Sequence, residues 1–509
     1  MGDSTPQIAA FALYRVEKFL QVKYPLGTRP THPADRFLAF MTLRLPLRLL
    51  VLCAILAIWP ATVLTAAELA IPAPSERPQL IAAETDSFLK ALAARAGIAD
   101  FDARMNAAAA NLPVLGERAQ DVVATQAARD QARSRLFPGL GVDFIGARTI
   151  TRDLQSPSTQ VENLAPFRRN DIIGSVDQLV TDFGASSARI RAGNANTEAA
   201  RAELDAARNS ALLQLVTTWY DVLWAQAASA LVRSNVERMQ VLADGANLRF
   251  ESGVDSGGDV ARARSYLAAA QGQAISTDRQ LKAASARYFE LFGQAAGKLD
   301  RPSWSGEMLP VQRDERPELA SARAQERAAS AALDAAKSDR LPRVDARISG
   351  AGYDVLRGST PAYDVRAQLT LRQRFSTGGA EAARVAELAA RRKSASLAVD
   401  RVAAAVDREG QVAESDVDAL SSSLVPLRGA YLDSRRARDL FAEQFRVSRG
   451  TLFDVLRAER DLLDAALALT RTEYDLDVAR FTLLARRGGL IERFGMTPAV
   501  ATSNQEPQR

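Results

Sequence analysis

Apolar positions near the end of the chain fall in two interleaved stripes. Leu463, Leu467, Tyr474, Phe481 and Leu484 keep the three- and four-residue spacings of one helical face, and Leu462, Leu469, Leu476 and Leu483 repeat every seventh residue beside them. One such seam makes a two-stranded coiled coil, whereas two adjacent seams give a helix neighbours on both sides. Ala465, Ala466 and Ala468 let those neighbours approach closely. The pattern predicts a curved wall of helices. Its longest members run over about 182–250 and 379–446, each on the order of 100 Å at 1.5 Å per residue. Trp219, Tyr220 and Trp224 on the first of them read as packing residues.

A different period interrupts the helices. In "VRAQLTLRQRF", Val365, Ala367, Leu369 and Leu371 alternate with Arg366, Gln368, Thr370, Arg372 and Arg374. "RVDARIS" sets Val344, Ala346 and Ile348 against Asp345, Arg347 and Ser349, and the intervening "YDVLRGSTPAYD" reads as a turn. "LGVDFIGARTI" and "DIIGSVDQLV" repeat the alternation less cleanly. A half-buried soluble sheet shows this period, and so does a membrane barrel with aliphatic residues toward lipid and polar ones toward a wet lumen. The second reading makes Asp345, Arg347, Arg366, Arg372 and Arg374 lumenal, implies some anion preference, and leaves a thin aromatic girdle of Phe144, Phe167, Tyr353 and Tyr363. Four strands cannot close a barrel, and an open edge in lipid is costly, so the chain is expected to oligomerise. Three copies would supply twelve strands.

The chain is also written twice. "ARDQARSRLFP" (128–138) matches "ALDAAKSDRLP" (332–342), and "TDFGA" (181–185) parallels "STGGA" (376–380). Phe250, Asp259, Val260 and Ala263 fall on Phe445, Asp454, Val455 and Ala458 at a constant offset of 195. Each half reads as an Ala-rich helix (about 86–136, then 317–340) ended by Pro138 or Pro342, two strands, a very long helix, a hinge and a return helix. The expected organisation is an upstream extension with a signal peptide (1–67), a first repeat (68–293), a linker (294–316), a second repeat (317–488) and a disordered tail (489–509).

Composition narrows the chemistry. The stretch from Met41, with Arg44 and Arg48 before an apolar run and small residues near Thr65, has the grammar of a secretory signal peptide, with an uncleaved anchor the competing reading and Met41 the expected start. Residues 1–67 hold 7 of the 65 Lys and Arg and 3 of the 60 Asp and Glu, so the remainder carries 58 against 57, a charge of +1, and no nucleic-acid partner is implied. The only His and Cys, His32 and Cys53, lie in the same segment. Thiol nucleophiles, disulfides, His-based zinc sites and Ser-His-Asp machinery are therefore excluded from the exported part. No cofactor is called for, and an enzyme is not expected.

Over residues 86–488 the chain resembles the TolC-like outer-membrane efflux protein family, trimeric channel-tunnels of Gram-negative bacteria. The resemblance rests on the duplicated "ARSRLFP"/"AKSDRLP" strand entries, "LRQRFSTGG", "RPELASARAQERAASAALDAA" and the hinges "FESGVDSGGDV" and "FRVSRGTLFDVL". Arg374 replaces a usual Pro, and Ser448 stands where a hinge Gly is common. The resemblance implies a mostly α fold with a small β part: helical hairpins forming an α-barrel, and four strands per chain of a trimeric twelve-stranded β-barrel. It implies an outer-membrane pore that continues as a tunnel into the periplasm and meets a periplasmic adaptor and an inner-membrane ABC exporter or proton-driven pump. "FRVSRGTLFDVL" is most similar to members serving type I secretion, with multidrug efflux the alternative. A periplasmic coiled-coil scaffold without a pore is a third reading. The hinges would be the periplasmic tips, with Gly253, Val254, Gly450, Thr451 and Leu452 docking the adaptor. Asp454 matches an acidic gate position, but Arg457 stands where a second acid is expected, suggesting an Asp–Arg latch. Arg449, Asp255 and Asp259 are further gate candidates.

Overall fold

A computed structural model describes residues 69–151, 168–303, 316–356, 362–375 and 378–499. The signal-peptide segment, Phe167, most of the linker and the end of the tail lie outside the described residues.

The described part from Ala66 onward is one unit. It contains helices α1 (Ser87–Ala93), α2 (Ile98–Asn111) and α3 (Pro113–Ser134), then strands β1 (Gly139–Arg148) and β2 (Arg168–Thr181). The long helix α4 (Ala185–Glu251) and its return α5 (Gly257–Phe292) follow. The second half repeats the order with α6 (Pro317–Ser338), β3 (Arg343–Tyr353), β4 (Ala362–Arg372), α7 (Ala380–Arg446) and α8 (Leu452–Arg486), and α9 (Leu490–Arg493) closes the chain. Both long helices begin on a glycine in the left-handed region, Gly184 at φ 98° and Gly379 at φ 87°, a backbone turn that a Cβ would disfavour.

The duplication extends to single hydrogen bonds. Gln178 Nε2 donates to Leu136 O at 3.1 Å, and Gln373 Nε2 donates to Arg340 O at 3.1 Å. Arg233 pairs with Asp278 at 2.9 Å, and Arg428 pairs with Glu473 at 3.3 Å.

The helices form a row. Toward the strands the neighbours run α3, α4, α6, α7; toward the hinges they run α5, α4, α8, α7. Both expected stripes of α8 are covered: Leu462, Leu469, Leu476 and Leu483, and Leu463, Tyr474, Phe481 and Leu484, are buried, and Leu467 is half-buried against the same core. The rims of the row are not. α4 buries thirty of its 67 residues, whereas α7, of equal length, buries only Val406, Ala413, Tyr431, Arg438 and Asp439. No residue of α3 is buried.

Two expectations need correcting. The tail expected to be disordered from residue 489 begins instead with the helix Leu490–Arg493, and Leu490, Ile491 and Phe494 are buried in the main core. The stretch 86–136 is three helices, because residues 94–97 leave the helix and Pro113 starts a new one at its first turn. The first two pack against the middle of the long helices. There Phe101 meets Trp219 edge-on at 5.2 Å, and Phe88 lies 4.6 Å from Tyr431. Trp219 and Tyr220 are packing residues as expected, both buried in this core.

Buried arginines fasten the same region. Arg301 Nε lies 2.6 Å from Asp477 Oδ2, its Nη2 reaches Glu473 at 2.9 Å, and its Nη1 donates to Leu92 O at 3.0 Å. Arg95, freed by the break after α1, adds a 2.5 Å contact to Asp477. Tyr220 donates to the same carboxylate at 3.3 Å, and burial, with Asp477 beside it, pushes the phenol's pKa up. A second cluster holds the segment before α1. Arg438 donates to Pro72 O at 2.8 Å and pairs with Asp439 at 2.5 Å and Glu459 at 3.1 Å, and Arg435 pairs with Asp86. Removing one member of a buried pair strands the other charge. Arg301→Ala is expected to destabilise the fold by about 3 kcal/mol, seen as a lower denaturant midpoint; an unchanged midpoint would contradict the role assigned to it.

Candidate functional site

The four strands form one antiparallel sheet in the order β1-β2-β3-β4, so each half contributes a hairpin and β1 and β4 are its edges. Register sorts the side chains into two faces, because opposed residues point the same way. Asp345 opposes Thr370, Arg347 opposes Gln368, and Ser349 opposes Arg366. Across β2, Arg347 also opposes Asp177, with which it pairs. This face carries Arg169, Arg343, Arg347, Arg366 and Arg372, and it carries Asp143, Asp171, Asp177, Asp345 and Asp364. Ile145, Ile173 and Leu179 are its larger apolar members.

The opposite face is largely aliphatic and uncovered, with Arg148, Arg168, Asn170 and Gln178 only toward its ends. Leu140 is 82% exposed, Val142 74%, Val365 71% and Leu369 70%, with Phe144, Ile172, Ile348, Tyr363 and Leu371 beside them. Burying such side chains is worth roughly 1.5–3 kcal/mol each. A sheet that leaves them all bare is made for an apolar surrounding.

The expected polar residues share one face, with one exception and one revision. Arg374 lies beyond the end of β4 at Arg372. The arginines there are balanced by aspartates: Arg343 reaches Asp345 at 2.9 Å, Arg169 reaches Asp171 at 2.6 Å, and Arg366 pairs with Asp364. Five of each sign leave no net charge, which removes the basis for an anion preference. Tyr353 also leaves the expected girdle, since it lies on the polar face with Arg169 4.5 Å over its ring. Three exposed aromatics at the joins between strand and helix were not anticipated: Phe137, Phe183 and Phe375, the last 94% exposed. Phe137 and Phe183 stand next to turn residues (Pro138, Gly184), outside the alternating runs, and Phe375 closes the run "VRAQLTLRQRF" three residues past the end of β4 at Arg372.

The hinges are a matched pair of caps. After α4, Gly253 turns at φ 75°; its N–H donates to Phe250 O at 2.9 Å, and Val254 N–H donates to Arg249 O at 2.8 Å. After α7, Ser448 turns at φ 58°, with the same bonds to Phe445 O at 3.1 Å and from Arg449 to Gln444 O at 2.8 Å. Both are Schellman endings with a left-handed residue at the same place. Gly450 approaches Gln444 and Phe445 so closely that a Cβ would lie 3.2 Å from each.

Each return helix is then capped by its own acid. Ser256 and Asp259 form a capping box, with Ser256 Oγ donating to Asp259 Oδ2 at 2.8 Å. The Ser256 hydroxyl and backbone N–H hold the Asp259 pKa below the usual carboxylate range, so this cap is present above the ordinary pKa and is lost as pH falls through the lowered one. Thr451 Oγ1 likewise donates to Asp454 Oδ2 at 2.6 Å and accepts from Asp454 N at 3.2 Å. Arg457 turns away, 3.9 Å from Asp461, so the expected Asp454–Arg457 latch is not formed within the chain. Asp255 pairs with Arg249 at 3.0 Å, and Arg249 in turn lies 4.6 Å over the Phe445 ring of the other hinge. Arg449 and Val254 are exposed, and Leu452 is buried.

Residues 105–294 match the family model described as outer membrane efflux protein. The outer membrane efflux protein BepC of Brucella suis biovar 1 (strain 1330) is 24% identical over 337 residues, which cover 63% of this chain and 73% of that protein. The fold matches the outer membrane protein VceC of Vibrio cholerae with a TM-score of 0.69 at 17% identity, over 77% of this chain and 96% of the other. It matches the CmeC outer membrane channel of Campylobacter jejuni with a TM-score of 0.68 at 14% identity, over 82% and 93%.

Thr451→Ala and Asp454→Ala should each loosen the first turn of α8 by about 1 kcal/mol, read as faster amide exchange there. Ser448→Gly should leave that turn unchanged or tighter, since it relieves a left-handed serine. Protection lost in Ser448→Gly would contradict the strain argument.

Proposed function

We propose that this chain, whose residues 105–294 match the outer membrane efflux protein family, is a member of that family and the outer-membrane conduit of a tripartite export system. The observation that carries this reading is the sheet with one bare aliphatic face, one charged face and two unpaired edges. Hydrocarbon suits the first face, a wet lumen suits the second, and the edges need partners because unpaired backbone groups in lipid cost several kcal/mol each. Three copies would join β4 of one to β1 of the next as twelve strands. The open rims of the helical row, α7 on one side and α3 and α5 on the other, support the same closure. Phe137, Phe183 and Phe375 suit the inner membrane–water boundary, where aromatic side chains are favoured.

In this reading the segment 41–67 directs export, the hinges are the periplasmic tips, and Gly253, Val254, Gly450 and Thr451 present the surface for an adaptor, with Leu452 buried behind them. Asp454 contributes to the gate through the cap it forms. Type I protein secretion with an ABC exporter is the first assignment, supported by the hinge "FRVSRGTLFDVL". Small-molecule efflux with a proton-driven pump is the second, favoured by the efflux name of the Brucella relative. Deleting the gene separates them: loss of a secreted protein supports the first, and drug hypersensitivity with an intact secretome supports the second.

The purified protein is expected to run as a detergent-solubilised trimer and to conduct in planar bilayers with little ion selectivity. A water-soluble monomer that leaves bilayers silent would refute the conduit. Asp454→Ala with Arg457→Ala should raise single-channel conductance if the tip caps restrain the gate; unchanged conductance in normal trimers would remove both residues from it.

A further inference from the structure

The two halves meet within the chain along a seam between α4 and α8, and that seam has a fixed register. Arg238 Nε lies 2.9 Å from Glu459 Oε1, and the Glu459 side chain is 1% exposed. Higher up, Tyr220 reaches Asp477 at 3.3 Å. The offset of 195 turns α4 into α7 and α8 into α5, since Ala185–Glu251 becomes Ala380–Arg446 and Leu452 answers Gly257. A second seam of the same geometry would join α7 to α5, but these two helices lie on opposite rims of the row.

Their equivalent faces are bare. Ile275 is 73% exposed and Phe289 59%, where their counterparts Thr470 and Leu484 are 0% and 5%. On α7, Ser415 and Asp418 are exposed, where their counterparts Tyr220 and Leu223 are buried. Carried through the offset, Arg238 becomes Asp433 and Glu459 becomes Arg264. The pair survives with its charges exchanged. The same register sets Arg279 level with Asp418, and Lys282 level with Ser415, one turn from Asp418. In the single chain Asp433 accepts from Arg436 at 3.1 Å with 77% of its side chain exposed, and Arg264 donates to Asn247 at 3.1 Å.

We propose that α7 of one copy seats against α5 of a second copy of this chain, with Asp433 opposite Arg264 and Asp418 opposite Arg279. The partner is the chain itself because the complementary surface is the repeat-related image of a seam already built inside it. The inference deepens the ring proposed above and rests on it. It also goes further, since a ring alone specifies no register between neighbouring helices.

The test uses full-length protein in a Cys53→Ser background, which has no other cysteine. Arg264→Cys with Asp433→Cys should give disulfide-linked multimers on a non-reducing denaturing gel after mild oxidation, and neither single variant should. Arg264→Cys with Ser415→Cys, 18 residues along α7, should not link. Intact trimers without the 264–433 link, or with an equal 264–415 link, would overturn the seam alone. Failure to assemble in any variant, the parent included, would overturn the ring itself. As a second measure, Asp433→Arg should lower the temperature at which trimers dissociate, and adding Arg264→Asp should restore it. A double variant no more stable than the single one would refute the pairing.

Discussion

Backbone pairing in a medium without water governs this molecule. Every second residue of a strand at a free edge presents an unsatisfied donor and an unsatisfied acceptor, and hydrocarbon offers no substitute partner. Four strands per chain leave β1 and β4 open. The features around the sheet support that debt being settled between copies: the aliphatic side is bare, the charged side pairs with itself across strands, and the helical row ends in two uncovered rims. A soluble sheet would have brought a helix over Leu140, Val142, Val365 and Leu369 instead.

Much of this was legible in the sequence, for physical reasons. The long helices follow the expected 182–250 and 379–446 closely, at Ala185–Glu251 and Ala380–Arg446, because their helical pattern carries from strand to hinge, in the second case across Pro426. Strict alternation sorted the faces of β3 and β4 because the side-chain period of a strand is two. The break at residues 94–97 was hidden, since an Ala-rich sequence is equally content as one helix or several. What holds the break open is Arg95 reaching Asp477, 382 positions away, and local propensity is blind to such a contact.

The hinges show how one residue type supports two readings. An acid three residues after a Ser or Thr is the signature of a helix cap, and Thr451–Asp454 carries it plainly. The resemblance drew attention to Asp454 as a free charge facing a lumen, and to Arg457 as its counterpart. The geometry instead commits the Asp454 carboxylate to its own helix. The charged residues of the sheet teach the same caution: a row of arginines on one strand says little about net potential until the aspartates on neighbouring strands are counted.

The Arg238–Glu459 contact has a consequence for how halves may be ordered around a ring. Were two first halves to meet, arginine would confront arginine; were two second halves to meet, Asp433 would confront Glu459. Only strict alternation, first half beside second, places opposite signs together at every boundary. A gene duplication that let the two copies drift to opposite polarity would thereby have lost the freedom to build the same wall from one half alone.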